Sequence, residues 1–476
     1  MTSIAYENTK DESKINYVAM IAVLIISTFI AVLNETILNV ALSNIMSAFN
    51  VSYSTVQWLV TGYLLVIGTL VPISAFFLQR FTTRQLFISA MVFFTLGTFL
   101  AAFSSSFVLL LIGRLVQAVG TALLIPLLTN SILLIVPEKN RGLIMGGLIS
   151  LVFMFAPAIG PTLSGIIVES LSWRWIFFLS APISLLTLIF GLRTVRNVTE
   201  TSNPKLDIIS YVLSVIGFGG IVFGFASAGE GEASFSDPKV MITIAFGAVG
   251  LVLFIIRQLR IKEPLLEIRV FRYPMFGLSM LLVIGVMMTM FPLTLQLPIY
   301  FQGVLLFSAF TAGILMLPGG LVNALVAPIM GRIFDKFGPR PLIAIGAVLF
   351  MVVIFMFRYI PELSTGMIIF LHCMLMLALG TMMMPAQTNA LNQLPKDLYP
   401  HGSAIANTLL QIAGALGVPL FITISENAQR DFLEGVSNPT QQQLIDALTN
   451  GIQTSFSNGL YFAIAVVVLA IFIKRK

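Results

Sequence analysis

Fourteen apolar runs of roughly 20 residues, the length that crosses a hydrocarbon core, limit the fold of this chain more than any other feature. Inside a bilayer the backbone must satisfy its own hydrogen bonds, so such runs form helices. They lie near residues 17–42, 55–78, 86–104, 107–136, 142–168, 175–193, 207–228, 239–257, 275–301, 308–331, 340–358, 363–391, 403–426 and 456–473. Hydrophobic residues make up 58% of the chain and charged residues 10%, more apolar surface than a soluble domain can bury. The predicted fold class is an all-α membrane protein with 14 transmembrane helices.

The loops orient that bundle. Residues 1–16 are polar and carry no cleavable signal pattern, so the first run is expected to stay in the protein. An even number of spans puts both ends of the chain on one side. If that side is the cytoplasm, inner loops and tails hold 21 Lys and Arg and outer loops hold 4. That asymmetry predicts cytoplasmic termini. Basic residues confined to short loops do not suggest a nucleic-acid partner, despite the net charge of +6. A single cysteine, Cys373, excludes an internal disulfide and a thiolate metal cluster. No phosphate-binding loop or nucleophile triad supports an ATPase or hydrolase, and no cofactor or metal is expected.

One phrase occurs twice. "AFFLQRFTTRQLF" (75–87) follows the second run and "GRIFDKFGPRPLI" (331–343) follows the tenth. Both set basic residues and a Phe at matching offsets in a short inner loop, the mark of a transporter built from related halves. The expected division is a six-helix bundle over 1–196, two inserted helices over 197–258, and a basic linker with a second six-helix bundle over 259–476. The linker (257–274) is expected at the inner surface, partly as an interfacial helix. The polar stretch 426–455 reads as a long outer loop with room for a short helix.

These motifs resemble those of the major facilitator superfamily. "GRIFDKFGPR" looks like its loop motif and "GRLVQAVGTALLIP" (113–126) like its fourth-helix arginine motif. "APAIGPTLSG" (156–165) resembles the fifth-helix motif of exporters. The 6+2+6 arrangement and "LNETILNVAL" resemble the fourteen-helix drug/proton antiporter branch, especially its lincomycin-resistance type in Gram-positive bacteria. The resemblance covers essentially the whole chain. It implies alternating access, a bacterial plasma (inner) membrane location, export driven by the proton gradient, and small lipophilic drugs as substrates. Nothing in the sequence calls for an adaptor subunit.

The residues support that chemistry independently. Of 20 acidic residues, Glu35 alone sits well inside a run. A carboxylate there costs several kcal/mol unless neutralised, paired or hydrated, so it marks function by default. Thr28, Ala31, Glu35 and Asn39 recur at helical spacing and predict a small, polar stripe facing a cavity. Arg114 is the only basic residue deep in a run. At 1.5 Å per residue both Glu35 and Arg114 lie about 10 Å from the outer surface. An interaction is therefore feasible, directly or through Gln117 or water. Burial disfavours the charged carboxylate while the arginine favours it, so Glu35 can load and release a proton as the cavity changes face. The resemblance implies that Arg114 assists this coupling. The family usually places aspartate at the position of Asn34, so here the acid is displaced by one residue, about 100° around the helix.

Other intramembrane polar residues are candidates to line a substrate cavity: Asn39, Gln117, Gln296, Asn323, Gln387, Asn407 and Gln411, with Glu35 itself. Some of these are expected to act only between helices. Glu426 is a second acidic candidate, although an exposed helix-end charge is its simpler reading. Gating is expected from two motifs. In the second-half loop these are Gly331, Asp335, Gly338 and Arg340, with Asp335 the latch that the resemblance implies. The first-half copy is degraded, having Gln79 for Asp and Thr82 for Gly. In the fifth run, Pro157, Gly160, Pro161 and Gly165 permit kinking and close helix contact near the outer gate. Two other readings remain: a dedicated exporter of one metabolite, lipid or peptide-like molecule, and a non-transporting membrane sensor or scaffold.

Overall fold

A computed structural model describes residues 17–135, 150–198, 201, 207–228, 235–261, 264–395, 398–436 and 438–474. Every predicted run contains a long helix. They are α1 (Tyr17–Phe49), α2 (Trp58–Arg80), α3 (Thr83–Ala102), α4 (Phe107–Ile135), α5 (Ser150–Ser170), α6 (Trp175–Thr194), α7 (Ile208–Ser227) and α8 (Pro238–Arg260). Then follow α9 (Pro274–Ile299), α10 (Ala309–Phe337), α11 (Pro339–Phe357), α12 (Thr365–Asn392), α13 (Tyr399–Phe432) and α14 (Gln441–Phe472). Thirteen spans meet the length and hydropathy of a membrane crossing among the described residues. The remaining run, 142–168, is described from Ser150, and residues 142–149 lie outside the description.

Two boundaries depart from the sequence reading. The long loop expected over 426–455 is mostly helix. α13 continues to Phe432, and α14 starts at Gln441 with no separate short helix before it. Thr440 and Gln443 form a reciprocal capping box, which satisfies backbone donors that would otherwise end a helix in polar sequence. Among its described residues between α8 and α9, the basic linker holds a 3₁₀ segment, Ile268–Arg272, rather than an interfacial α-helix.

The two copies of the repeated loop turn by different means. Gly338 ends α10 with φ of 78°, a conformation that favours glycine. Thr82 at the matching place has φ of −68° and caps α3 with Gln85. The degraded copy therefore replaces a glycine turn with a helix cap.

The inserted helices α7 and α8 form an antiparallel pair. Gly217, Gly220 and Gly224 meet Gly247 and Gly250 so closely that an added Cβ at any of them would lie under 3.0 Å from the opposite helix. Small residues of this kind let membrane helices pack backbone to backbone. At one end of the pair, Arg257 donates to both oxygens of Asp207, each at 2.8 Å. Gln258 donates to Ser210 and accepts from the Leu266 backbone, tying the linker to the same end. α7 packs against both α2 and α13, with Trp58 and Phe223 rings 5.8 Å apart. The pair thus flanks the seam where the first six helices meet the last six.

Candidate functional site

We call the face bearing the start of α1 and the end of α14 proximal, and the opposite face distal. The central polar cluster lies in the distal half of α1, α2, α3, α4 and α6. Glycines bring it together. A Cβ on Gly97 would lie 2.4 Å from the Gln117 backbone nitrogen, and one on Gly113 2.8 Å from that of Ala101. α3 and α4 therefore touch at the backbone, which delivers Thr98 to Gln117 at 2.7 Å.

Arg114 is fully buried. Its Nη1 donates to the Asn34 carbonyl at 3.1 Å and to Gln117 Oε1 at 2.9 Å, and its Nε donates to the Leu59 carbonyl at 3.4 Å. The guanidinium stacks over the Tyr63 ring at 4.0 Å, and Tyr63 shares a hydrogen bond with Thr121. Nη2 has no hydrogen-bond partner among the described residues. A buried guanidinium is tolerable only with such a shell. The matching depth expected for Glu35 and Arg114 is therefore present.

Their relation is indirect. Asn34, not Glu35, faces this network: it donates to Ser180 at 2.9 Å and accepts from Gln117 at 3.5 Å. Glu35 is partly exposed and lies within electrostatic range of Arg114 and Tyr63. Among the described residues it forms no direct ion pair with Arg114. The one-residue displacement explains this, since 100° of rotation carries the side chain out of the network that Asn34 occupies. Thr28, Ala31 and Asn39 on the Glu35 stripe are buried, so helix neighbours cover most of it.

The remaining candidates separate. Gln117 spends its amide on Thr98, Asn34 and Arg114, which makes it a network member rather than a cavity liner. Gln296 is a correction. It is buried among α9, α11, α13 and α14, donates to the Phe421 carbonyl at 3.5 Å, and packs beside Thr289 and Ser455 with no room for a water molecule. That position lies inside the last six helices, not between the halves. Asn323 and Gln387 are half-buried on α10 and α12. Asn407 is exposed, whereas Gln411 one turn away has a buried Oε1. Asn39 is buried, and its Oδ1 lacks a hydrogen-bond partner among the described residues.

The gating motifs map to both faces. Gly331 and Asp335 fall on the last turns of α10, with their side chains outside the described set, while Arg340 is exposed at the start of α11. On α5, the side chain of Pro157 is likewise outside the description. A Cβ on Gly160 would lie 2.6 Å from Thr36 Oγ1 of α1. One on Gly165 would lie 2.4 Å from the Ala309 carbonyl of α10, and one on Gly313 2.5 Å from the Pro161 carbonyl. These contacts place the fifth-run motif in the distal closure.

Sequence reasoning missed the polar bonds of that closure. Thr162 donates to the Gly313 carbonyl at 2.9 Å, and Gln302 donates to the Val40 carbonyl at 3.1 Å. Glu169 at the end of α5 accepts from the Phe310 backbone at 2.9 Å. Glu426 near the end of α13 accepts from the Ser54 backbone at 2.7 Å. The last two are counterparts, since α5 and α13 hold corresponding places in the two sets of six helices. Glu426 is thus a crossing contact, not a free helix-end charge. Acidic residues at the ends of predicted runs were the available signal.

Comparison with known proteins follows the same outline. The model of the Major Facilitator Superfamily matches residues 24–418. "Lincomycin resistance protein LmrB" of Bacillus subtilis is 48% identical over 454 residues, covering 95% of each chain. Its namesake from Listeria monocytogenes is 46% identical and covers 97% of this chain and 98% of its own. "Multidrug export protein EmrB" of Escherichia coli is 26% identical over 87% of this chain and 81% of its own. Among solved structures, a bacterial homolog of the human lysosomal transporter Spinster superposes with a TM-score of 0.70, covering 95% of this chain and 96% of its own at 14% identity.

Proposed function

From the premise that this chain belongs to the Major Facilitator Superfamily, we propose that it exports several lipophilic, often cationic, drugs in exchange for protons. The chain is a transporter and not an enzyme, and a multi-pass protein of the bacterial plasma membrane. The two readings of a single-metabolite exporter and a silent scaffold are less well supported, because relatives named for drug resistance match nearly the whole length. In this reading both termini are cytoplasmic, so the distal face is outside and the protein is closed to the outside. α1–α6 and α9–α14 are the two rocking units, with residues 197–258 inserted between them.

The observation that carries the proposal is Glu35. It is a partly exposed carboxylate in the middle of a membrane helix, beside a buried arginine that it does not directly pair with. A proton can reach it and leave it without breaking a salt bridge. Arg114 and Tyr63 set its electrostatic environment, and the Asn34–Gln117–Thr98 chain holds Arg114 in place. Each charge moved across 100 mV supplies about 2.3 kcal/mol toward uphill export. Asp335 is assigned the inner latch and the fifth-run glycines the outer seal.

The test is efflux from proteoliposomes with an imposed pH gradient, using ethidium and a panel of antibiotics. Gradient-dependent efflux of several unrelated compounds is expected. Efflux of one compound only, or none that follows the gradient, overturns the reading.

A further inference from the structure

The seam between α2 and α13 holds polar side chains whose hydrogen-bonding groups are buried and unused. Two contacts fix its antiparallel register. The Ser54 backbone meets Glu426, and Gly68 meets Ile412 and Gln411. Pairs along this seam thus sum to the same number, which sets Gln57 level with Thr423. Gln57, the helical cap residue before α2, and Thr61 and Gly68 on it lie within about 40° of one another around the helix axis, from 3.6 residues per turn. Thr423 and Ile412 are similarly aligned on α13. All therefore face the seam.

Gln57, Thr61 and Thr423 are each 0% exposed. Both amide atoms of Gln57, Thr61 Oγ1, Thr423 Oγ1 and Gln411 Oε1 have no hydrogen-bond partner among the described residues. Leaving such groups unpaired costs about 1–3 kcal/mol each. A permanently closed helix contact would favour apolar residues here. The cost makes sense on a surface that the transport cycle uncovers. One and two turns from Gln411 toward the proximal face, Asn407 and Ser403 are exposed polar residues, so the polar track continues past the closed segment. Glu426 caps the distal end through its bond to Ser54.

We propose that Gln57, Thr61, Gln411 and Thr423 form a hydrogen-bonding subsite on the exit path, for hydroxyl- or amide-bearing parts of the exported molecule. This rests on the exporter reading. Two amides and two hydroxyls offer donors and acceptors without net charge, so they suit neutral polar groups better than a bare cation. The subsite is distinct from Glu35, which serves cations and the proton. It gives one transporter two selectivities.

The test compares lincomycin, which carries hydroxyls and an amide, with ethidium, a lipophilic cation that carries neither. Thr61→Val and Thr423→Val keep side-chain shape and remove one hydroxyl each. Efflux of lincomycin should fall about fivefold per substitution, the size of one neutral hydrogen bond. Ethidium efflux should stay within twofold at equal membrane levels. Equal loss for both compounds, or no loss for either, overturns the subsite. Wild-type protein that exports neither refutes the exporter reading instead. A second measurement does not depend on turnover. Thr61→Cys in a Cys373→Ser background should react with an impermeant maleimide from outside, and lincomycin but not ethidium should slow the reaction. Absence of labelling, or equal protection by both, also overturns the proposal.

Discussion

Replacing Gly165 by alanine should hold the transporter open to the outside. The new Cβ would lie 2.4 Å from the Ala309 carbonyl oxygen, 2.9 Å from Phe310 Cα and 3.0 Å from Ala309 carbon. All three atoms are backbone, so no side chain can swing away. Ordinary contact begins at 3.4 Å, so α5 and α10 must separate by about 1 Å. Overpacking of this size costs about 1–3 kcal/mol. The cost falls only on the state in which these helices touch. The equilibrium should therefore shift about 5- to 150-fold toward the open distal gate. A cysteine at Thr61, buried in the closed seam, reports the shift. Its labelling from outside should accelerate by that factor until opening is no longer limiting, and export should slow because resetting is hindered. Gly219→Ala is the control, since nothing lies within 4 Å of its Cβ position. If Gly165→Ala leaves labelling and export unchanged, or if Gly219→Ala behaves the same way, the distal closure is not the gate.

Glu35→Gln should insert normally and abolish gradient-driven export while leaving downhill binding of ethidium measurable; undiminished pumping would remove Glu35 from coupling. Arg114→Lys should keep the charge but lose most of the shell, because one ammonium cannot reach the Asn34, Gln117 and Leu59 acceptors together while stacking on Tyr63. Export by this variant should fall at least tenfold, and full activity would show that charge alone matters. Asn34→Asp with Glu35→Thr moves the acid into the network beside Ser180 and Gln117; partial export with a changed substrate profile is expected, and inactivity equal to Glu35→Gln in a well-inserted protein would contradict it. Hydrogen bonds from Arg257 hold the Asp207 carboxyl at about 2, below its ordinary 3.8. A depressed carboxylate stabilises above its unfolded value and loses that contribution as pH falls toward 2. Asp207→Asn should therefore destabilise the detergent-solubilised protein by about 1 kcal/mol at pH 7, discounted for water screening, and the difference should shrink below pH 4. A gap that stays constant with pH would rule out the ion pair as its source.

The sequence by itself determined the number of helices, their even pairing and the identity of the unusual charges. Hydrocarbon leaves a long apolar run one structural option, and it makes any buried carboxylate or guanidinium conspicuous. It also marked the glycines of "APAIGPTLSG", because close helix contact needs residues without bulk. It failed where polar sequence is helical, as at Gln441–Ile452, since a capping box and packing on neighbouring helices override composition. It could not decide which neighbour each polar residue meets. Gln296 and Gln411 look alike as glutamines in apolar runs, yet one is enclosed among the last six helices and the other stands at the seam between halves. Asn34 and Glu35 are adjacent in the chain, and only the rotation of α1 against α4 and α6 gave Arg114 to the first and left the second partly exposed outside that network. Spacing along a helix fixes which side chains share a face. The packing of that face against others, set by glycine contacts far away in sequence, decides what the face does.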